Sequence, residues 1–224
     1  MKQYKHFKGV YEPEKSRKRS IFTISQSPGK QVYGEMLFRE KGVEFREWDP
    51  FHSKLGAGLL NGISQIGIKP ACSVLYLGVA SGTTASHVSD IVGSDGFVFG
   101  IDFAPRVLRD FVFLCNERGN LAPILADAKH PESYEHLVTA VDVVFQDIAQ
   151  KSQVDIFLKN IDHYLKPGGF GLLVIKARSI DVTKKPKEIF KRVRQELESS
   201  KVTIVDYKEL EPFEKDHALF VVKK

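Results

Sequence analysis

The stretch "YLGVASGTTASHVSDIVG", residues 76–93, decides how the chain folds. An apolar run ending at Leu77 breaks into a loop with Gly78, Ala80, Gly82, Thr83 and Thr84, then restarts as a helix-like run that stops at Gly93. Strand, glycine loop and helix form the opening unit of many ligand-binding α/β sheets. The loop holds no lysine or arginine, and it matches neither GxGxxG nor the Gly-Lys-Ser/Thr of a P-loop. By itself it supports ligand binding only weakly, with a tight structural turn as the plain alternative.

Strands and helices keep alternating downstream. "SVLYLGV", "FVFGIDF", "APILAD", "VDVVFQDI" and "FGLLVIKA" are continuous apolar runs, as expected of parallel strands covered on both faces. Helices are predicted at "PRVLRDFVFLCNERG", with proline near its start and Gly119 at its end, and at "PESYEHLVTA". Two more are predicted at "SQVDIFLKNIDHYL", closed by a "KPGG" turn, and at the amphipathic "PKEIFKRVRQELESS". "VTIVDYKEL" and "ALFVVKK" have no long helix between them, so they should be antiparallel neighbours. Upstream, "IFTIS", "GEMLFRE" and "VEFREWD", punctuated by Gly29, Gly34 and Gly42, predict a small β-hairpin region. "PFHSKLGAGLLNGISQIGI" predicts a helix leading into the main domain. The expectation is an α/β chain with a mostly parallel seven-stranded sheet. Residues 1–52 form a basic segment with a small β region, and residues 53–224 the main domain.

A chain of 224 residues, 42% hydrophobic, can bury one substantial core. The net charge of +5 is unevenly spread: residues 1–30 hold eight Lys/Arg and two Glu, against 25 basic and 26 acidic residues in the remainder. The basic excess therefore belongs to the N-terminus, either as a solvated tail or as a contact for a polyanion such as RNA. No apolar run approaches the roughly 20 residues of a membrane helix. The first residues lack the apolar middle of a signal peptide, so no membrane contact and a cytoplasmic location are expected. Cys72 and Cys115 sit in apolar surroundings, which predicts reduced core cysteines and no metal site.

In open α/β sheets ligands sit beyond the carboxyl ends of the strands. Those ends carry the glycine loop, Asp102-Phe103, Asp127-Ala128, Asp147 and Lys176. Asp102 follows Gly82 by 20 residues, the spacing at which an acid accepts hydrogen bonds from ribose hydroxyls. A nucleotide phosphate would favour a nearby cation. S-adenosylmethionine has no phosphate, and it carries a sulfonium, an amino group and one carboxylate. Three aspartates and a cation-free loop suit it better, with the amides before Thr83 free for the carboxylate. The C-terminal antiparallel pair agrees with a Rossmann-like class I S-adenosylmethionine methyltransferase fold, by analogy. "QDIAQ" replaces the Asn/Asp-Pro-Pro-aromatic motif of amine methylators, which favours an oxygen acceptor.

The strings "YLGVASGTTASHVSDIVG", "APRVLRD", "ILADAKHP", "FQDIAQ", "IKARSIDVTKKPKEIF" and "EPFEKDHALFV" resemble those of the fibrillarin family of RNA 2′-O-methyltransferases, from about residue 20 onward. No glycine/arginine-rich region is present, so the resemblance is to the archaeal form. It implies S-adenosylmethionine contacts at Gly78, Ala80, Thr83, Thr84, Asp102, Phe103, Asp127, Ala128 and Asp147 through Ile148, Ala149 and Gln150. It implies a catalytic group of Lys54, Asp147, Lys176 and His217. It also implies a ribonucleoprotein in which a box C/D guide RNA selects sites on rRNA or tRNA, with a Nop-family scaffold protein and a kink-turn-binding ribosomal-type protein. Two positions depart from the family pattern: Asp102 stands where glutamate is usual, and Val79 where alanine is usual.

Methyl transfer to a ribose hydroxyl needs alignment and proton removal. Lys176 is the candidate base, Lys54 the second cation and Asp147 the orienting acid, with His217 completing the group. The plain alternatives are a surface lysine after a buried strand for Lys176 and a turn histidine for His217. Residues 176–194 hold eight Lys/Arg against two acids, including Arg178, Lys184 and Lys185, and Arg106 and Arg109 sit on the second helix of the main domain. Phosphate contacts of this kind give affinity without sequence choice. A solvated helix face would also explain them. A small-molecule O-methyltransferase would need an apolar lid, which the sequence lacks. A non-catalytic RNA-binding subunit would have broken cofactor positions, and these are intact.

Overall fold

The computed structural model describes residues 1–16 and 19–224; Arg17 and Lys18, two of the basic N-terminal residues, lie outside the described residues. Five short strands come first: β1 (Lys2–Gln3), β2 (Tyr11–Glu12), β3 (Phe22–Ile24), β4 (Leu37–Glu40) and β5 (Val43–Glu47). They form an antiparallel sheet in the order β1-β2-β3-β5-β4, larger than the predicted hairpin region. The two extra strands are two residues each, too short to show an alternating pattern in sequence. Lys41 and Gly42 join β4 to β5 with φ of 50° and 82°, the paired positive φ of a tight two-residue hairpin.

Helix α1 (Lys54–Leu60) is much shorter than the predicted run. Ser53 caps its start by accepting from the Gly56 amide, and Gly62, at φ 85°, ends it. The rest alternates: β6 (Ser73–Leu77), α2 (Thr83–Val92), β7 (Phe97–Asp102), α3 (Pro105–Glu117), β8 (Leu121–Leu125), β9 (Val141–Gln146), α4 (Gln153–Tyr164) and β10 (Leu165–Lys176). Then come α5 (Ala177–Ile180), α6 (Pro186–Glu198), β11 (Thr203–Glu209) and β12 (His217–Lys223). "PESYEHLVTA" forms only a 3₁₀ turn at Pro131–Tyr134, with Tyr134 and the later Val138 buried in the core. The "KPGG" segment continues into β10, with an irregular register between Leu165 and Phe170.

These strands build a seven-stranded sheet in the order β11-β12-β10-β9-β6-β7-β8. Only β12 runs against its neighbours, as the sequence predicts. Strand order reverses between β6 and β9, so their carboxyl ends open the crevice where ligands bind. Alternate residues feed two cores: Val74 and Tyr76 face one side of the sheet, Leu75 and Leu77 the other. Helices α4 and α6 pack on the second side, the latter through a stripe of Ile189, Phe190, Val193 and Leu197.

The first core also includes Tyr4, Phe7, Val10, Ile21 and Trp48. The solvated-tail reading of the N-terminus is therefore corrected for the described residues: Tyr4, Phe7, Val10, Ile21 and Phe22 are buried. Two of its lysines are paired within the chain, Lys2 with Glu12 at 3.4 Å and Lys30 with Glu117 at 2.9 Å. A fully buried polar network joins the small sheet to α2 and to the loop after α3. Asp90 accepts from Arg46 at 2.7 Å, Arg118 at 2.6 Å and Thr23 at 2.7 Å, while Arg46 also donates to Glu35 at 2.7 Å. Trp48 stacks on His87 with centroids 4.9 Å apart. Burial and the two guanidinium charges hold the His87 imidazole well below its usual range, so it stays neutral. Among the described residues no helix is long and apolar enough to cross a membrane.

Candidate functional site

Two adjoining hollows open at the crevice between β6 and β9. The first, about 280 Å³, is lined by Gly78, Ala80, Ile101 and Asp102-Phe103, by Ala126 through Ala128, and by Asp147 through Gln150. The second, about 360 Å³, shares Gly78, Ala80 and Asp147 through Ala149 with it. It adds Thr83 and Thr84, and then Lys54, Lys176 and His217. All the sequence-predicted cofactor positions thus fall on one continuous cleft, and the four catalytic candidates gather at one end of it.

Backbone geometry explains the glycine loop. Gly78 turns out of β6 at φ 80°, and its amide donates to the Ile101 carbonyl at 2.8 Å. A Cβ there would lie 2.4 Å from the Asp147 carbonyl oxygen, so the two sides of the cleft approach as only glycine permits. Asp102 ties the loop down: it accepts from the Ala80 amide at 3.1 Å and the Ala104 amide at 2.9 Å. Its side chain is thus part of the cleft wall. Val79 is buried in the core and also borders the second hollow. Gly82, the residue before α2, offers no side-chain cap, which leaves the first helix amides open to an anion. Thr84 is buried, and its hydroxyl donates to Ser53 at 2.9 Å, which fixes α1 against α2.

On the far wall, Asp127 accepts from the Lys129 amide at 3.0 Å and Ala128 is held by Asn160 at 2.8 Å. Phe103 is 64% exposed at the rim of the first hollow. The first hollow carries carboxylates and apolar walls but no Lys or Arg, and the open α2 amides lie at Thr83 and Thr84 on the adjoining second hollow. That donor set fits a cationic adenosine ligand with one carboxylate.

The catalytic candidates meet differently from the sequence expectation. Asp147 pairs with Lys54, Nζ to Oδ2 3.1 Å, and not with Lys176. Burial pulls the Lys54 ammonium toward neutrality, but the Asp147 charge and hydrogen bond and the Glu214 charge outweigh it, so its pKa is raised. Lys176 is exposed, with no carboxylate within 4.0 Å among the described residues. It stands directly opposite His217 in the β10–β12 register. The His217 Nδ1–H donates to the Lys215 carbonyl at 2.7 Å, so the neutral ring keeps a lone pair on Nε2. His217 is buried within the site wall and is not a solvated turn residue.

Several neighbours were not among the candidates read from the sequence. Gln153, fully buried at the start of α4, donates to the Gln150 carbonyl at 2.7 Å and accepts from the Lys176 amide at 3.2 Å. It ties the loop after Asp147 to the backbone of Lys176. Glu214 and His52 line the second hollow. Tyr76, at its base, has its hydroxyl pushed well above the usual range by burial and by the Asp147 charge. The signal for Glu214 lay in "EPFEKDH", three residues before His217.

The RNA candidates lie at the surface. Arg106 and Arg109 are exposed on α3, with Arg109 3.7 Å from Asp110. Lys184 and Lys185 are exposed before α6. Arg178 is partly engaged, by Asp216 at 3.1 Å and the Val182 carbonyl at 3.0 Å.

Sheet order, antiparallel β12 and a carboxylate-lined crevice at the switch point define an S-adenosylmethionine-dependent methyltransferase. Aeropyrum pernix fibrillarin, solved with natively bound S-adenosyl-L-methionine, shares the fold at a TM-score of 0.90 and 44% identity, over 99% of this chain and 96% of that one. The chain belongs to the fibrillarin family, whose sequence model matches residues 1–224. It is 53% identical, over 100% of both chains, to a Thermococcus gammatolerans protein named fibrillarin-like rRNA/tRNA 2′-O-methyltransferase. The fibrillarin of a solved fibrillarin/Nop5p complex is also similar, at a TM-score of 0.85 and 37% identity, over 96% of this chain and 97% of that one.

Proposed function

We propose that the chain methylates ribose 2′-hydroxyls of rRNA or tRNA with S-adenosylmethionine, as the catalytic subunit of a ribonucleoprotein. One observation carries this reading: Lys54, Asp147, Lys176 and His217 converge on a hollow that shares a wall with a cation-free, carboxylate-lined cleft. The bound cofactor supplies an electrophilic methyl on a positively charged sulfur. Gly78, Asp102 and the α2 amides hold and orient it. The Lys54–Asp147 pair fixes a positive charge where an alkoxide would develop. Lys176, without a carboxylate partner, is the group that can take the hydroxyl proton, with His217 Nε2 beside it as a second acceptor. The names of its relatives support the RNA substrate, and the fibrillarin/Nop5p complex supports a Nop-family partner. A box C/D guide RNA and a kink-turn-binding protein complete the proposed particle, in the cytoplasm. Guide pairing then reads the target sequence, while Arg106, Arg109, Arg178, Lys184 and Lys185 contact only phosphates.

The test is methyl transfer in a reconstituted assembly of chain, scaffold, kink-turn protein and guide RNA, with a labelled methyl mapped on target RNA. Label on a ribose 2′-oxygen is expected. Label on a base, or none in any guided assembly, overturns the reading. Asp147→Ala and Lys176→Ala should each lower turnover by about 10² or more. Near-normal rates in both would refute the assignment of Lys176 as base and Asp147 as orienting acid.

A further inference from the structure

The second hollow contains a carboxylate that the proposed chemistry has not used. Glu214 lies in the turn between β11 and β12, and that turn is firmly held. Asn61, just after α1, donates to the Glu209 and Glu211 carbonyls, each at 2.9 Å. The amides of Phe213 and Glu214 both donate to the Leu210 carbonyl at 3.0 Å, and Leu210 is fully buried. Phe213 meets Phe51 edge to face at 5.3 Å. Glu214 is therefore presented by a fixed turn and not by a mobile loop. Its carboxylate lies 3.9 Å from His217 Nδ1, and its side chain is 23% exposed, on the wall of the hollow.

The charged and titratable groups facing this hollow come from five elements. They are His52 and Lys54 at α1, Tyr76 at the end of β6, Asp147 after β9, Lys176 at the end of β10, and Glu214 with His217 at β12. Two carboxylates face two lysines, but unequally. Lys54 pairs with Asp147 at 3.1 Å, and Glu214, beyond ion-pair distance on the wall of the same hollow, adds a second negative charge that raises the Lys54 pKa further. Lys176 has no carboxylate within 4.0 Å among the described residues. The two lysines are thus made chemically different by where the acids sit.

We propose that Glu214 is a positioning residue of the methyl-transfer site, acting as the second carboxylate that, with Asp147, fixes Lys54 as the standing cation and leaves Lys176 to accept the proton. The inference rests on the methyltransferase reading above. Its physical basis is simple. A proton acceptor must be able to lose its own proton, and a lysine flanked by carboxylates does so least readily. Glu214 also lies 3.9 Å from His217 Nδ1, so it borders both the cation and the ring. Its charge acts through Lys54; Glu214 itself need not touch substrate.

The test compares Glu214→Gln and Glu214→Asp with the wild type, in the full chain and in the reconstituted assembly. NMR titration of the Lys54 side chain, which needs no activity, reads the charge effect directly. The Lys54 midpoint should move to lower pH in Glu214→Gln and return toward the wild-type value in Glu214→Asp. In the assembly, turnover of Glu214→Gln should fall by about tenfold, the scale of one lost charge interaction. S-adenosylmethionine affinity should stay within about twofold, since Glu214 does not line the first hollow. The alkaline limb of the rate profile should also move to lower pH. An unchanged Lys54 midpoint with an unchanged rate profile overturns the proposal. An inactive wild-type assembly would overturn the RNA methyltransferase reading and still leave the Lys54 titration to judge Glu214.

Discussion

Replacing Gly78 by alanine should damage the cofactor cleft far more than it damages the fold. The added Cβ would sit 2.4 Å from the Asp147 carbonyl oxygen and 2.7 Å from Ile148 Cγ2, about 1 Å inside normal contact. The first obstacle is backbone, so no side-chain rotation relieves it. Either the loop or the segment Asp147 to Gln150 must shift by about 1 Å, and both are cleft wall. The left-handed φ of 80° adds strain of about 1–2 kcal/mol. Gly42→Ala is the control: its φ is 82°, nothing lies within 4 Å of the added atom, and it is in the hairpin between β4 and β5. It bears a similar strain without the clash. Calorimetric titration with S-adenosylmethionine and thermal unfolding separate the two effects. Gly78→Ala should lose at least about tenfold in affinity. Gly42→Ala should lose only a few degrees in Tm and keep its affinity. Affinity within twofold of wild type for Gly78→Ala, or an equal loss in Gly42→Ala, would refute the close-approach argument.

Asp90→Asn leaves the fully buried Arg46 and Arg118 short of a negative charge and should cost about 3 kcal/mol or more in urea unfolding. Gln153→Leu removes the link between the Gln150 carbonyl and the Lys176 backbone. It should lower turnover by about tenfold with little change in KM for RNA, measured in the assembly. Burial pushes the Cys115 thiol up to about 12. Its thiolate is therefore scarce at pH 8, and alkylation of the folded chain should be at least about a hundred times slower than of the unfolded chain, followed by mass spectrometry.

The sheet was legible because apolar runs punctuated by glycine and proline state strand and helix directly. The antiparallel β12 followed from the missing helix before it. What the sequence hid depended on contacts between distant residues. Arg46 and Glu35 lie far from Asp90 in sequence, and only their meeting across the small sheet and α2 buries their charges. Helix α1 ends early at Asn61-Gly62, where Gly62 takes φ 85° and the Asn61 side chain is held by the carbonyls of the turn after β11, a contact between residues distant in sequence. At the site, strand ends placed Asp102, Asp127, Asp147 and Lys176 correctly on one rim. The pairing of Asp147 with Lys54 was not readable, since Lys54 arrives from a helix outside the sheet.

That pairing also resolves an apparent conflict in the charge of the cleft. A carboxylate near a sulfonium stabilises the cofactor before reaction, and the sulfur loses its charge as the methyl leaves. Stabilising only the ground state slows the chemical step. Asp147 borders both hollows and would do this if it stood alone. On the proposed mechanism the Lys54 ammonium, 3.1 Å from Asp147, would offset the carboxylate's field on the sulfonium and supply positive charge to the developing alkoxide. Lys54→Met should therefore separate binding from turnover. S-adenosylmethionine affinity should hold or rise, because the freed Asp147 carboxylate attracts the sulfonium. Turnover in the reconstituted assembly should fall by about 10² or more, as cation and orienting pair are both lost. Calorimetry and single-turnover methyl transfer on the same preparations give the two numbers. A parallel fall in affinity and rate would mean that Lys54 supports the cleft structurally, and the charge argument would fail.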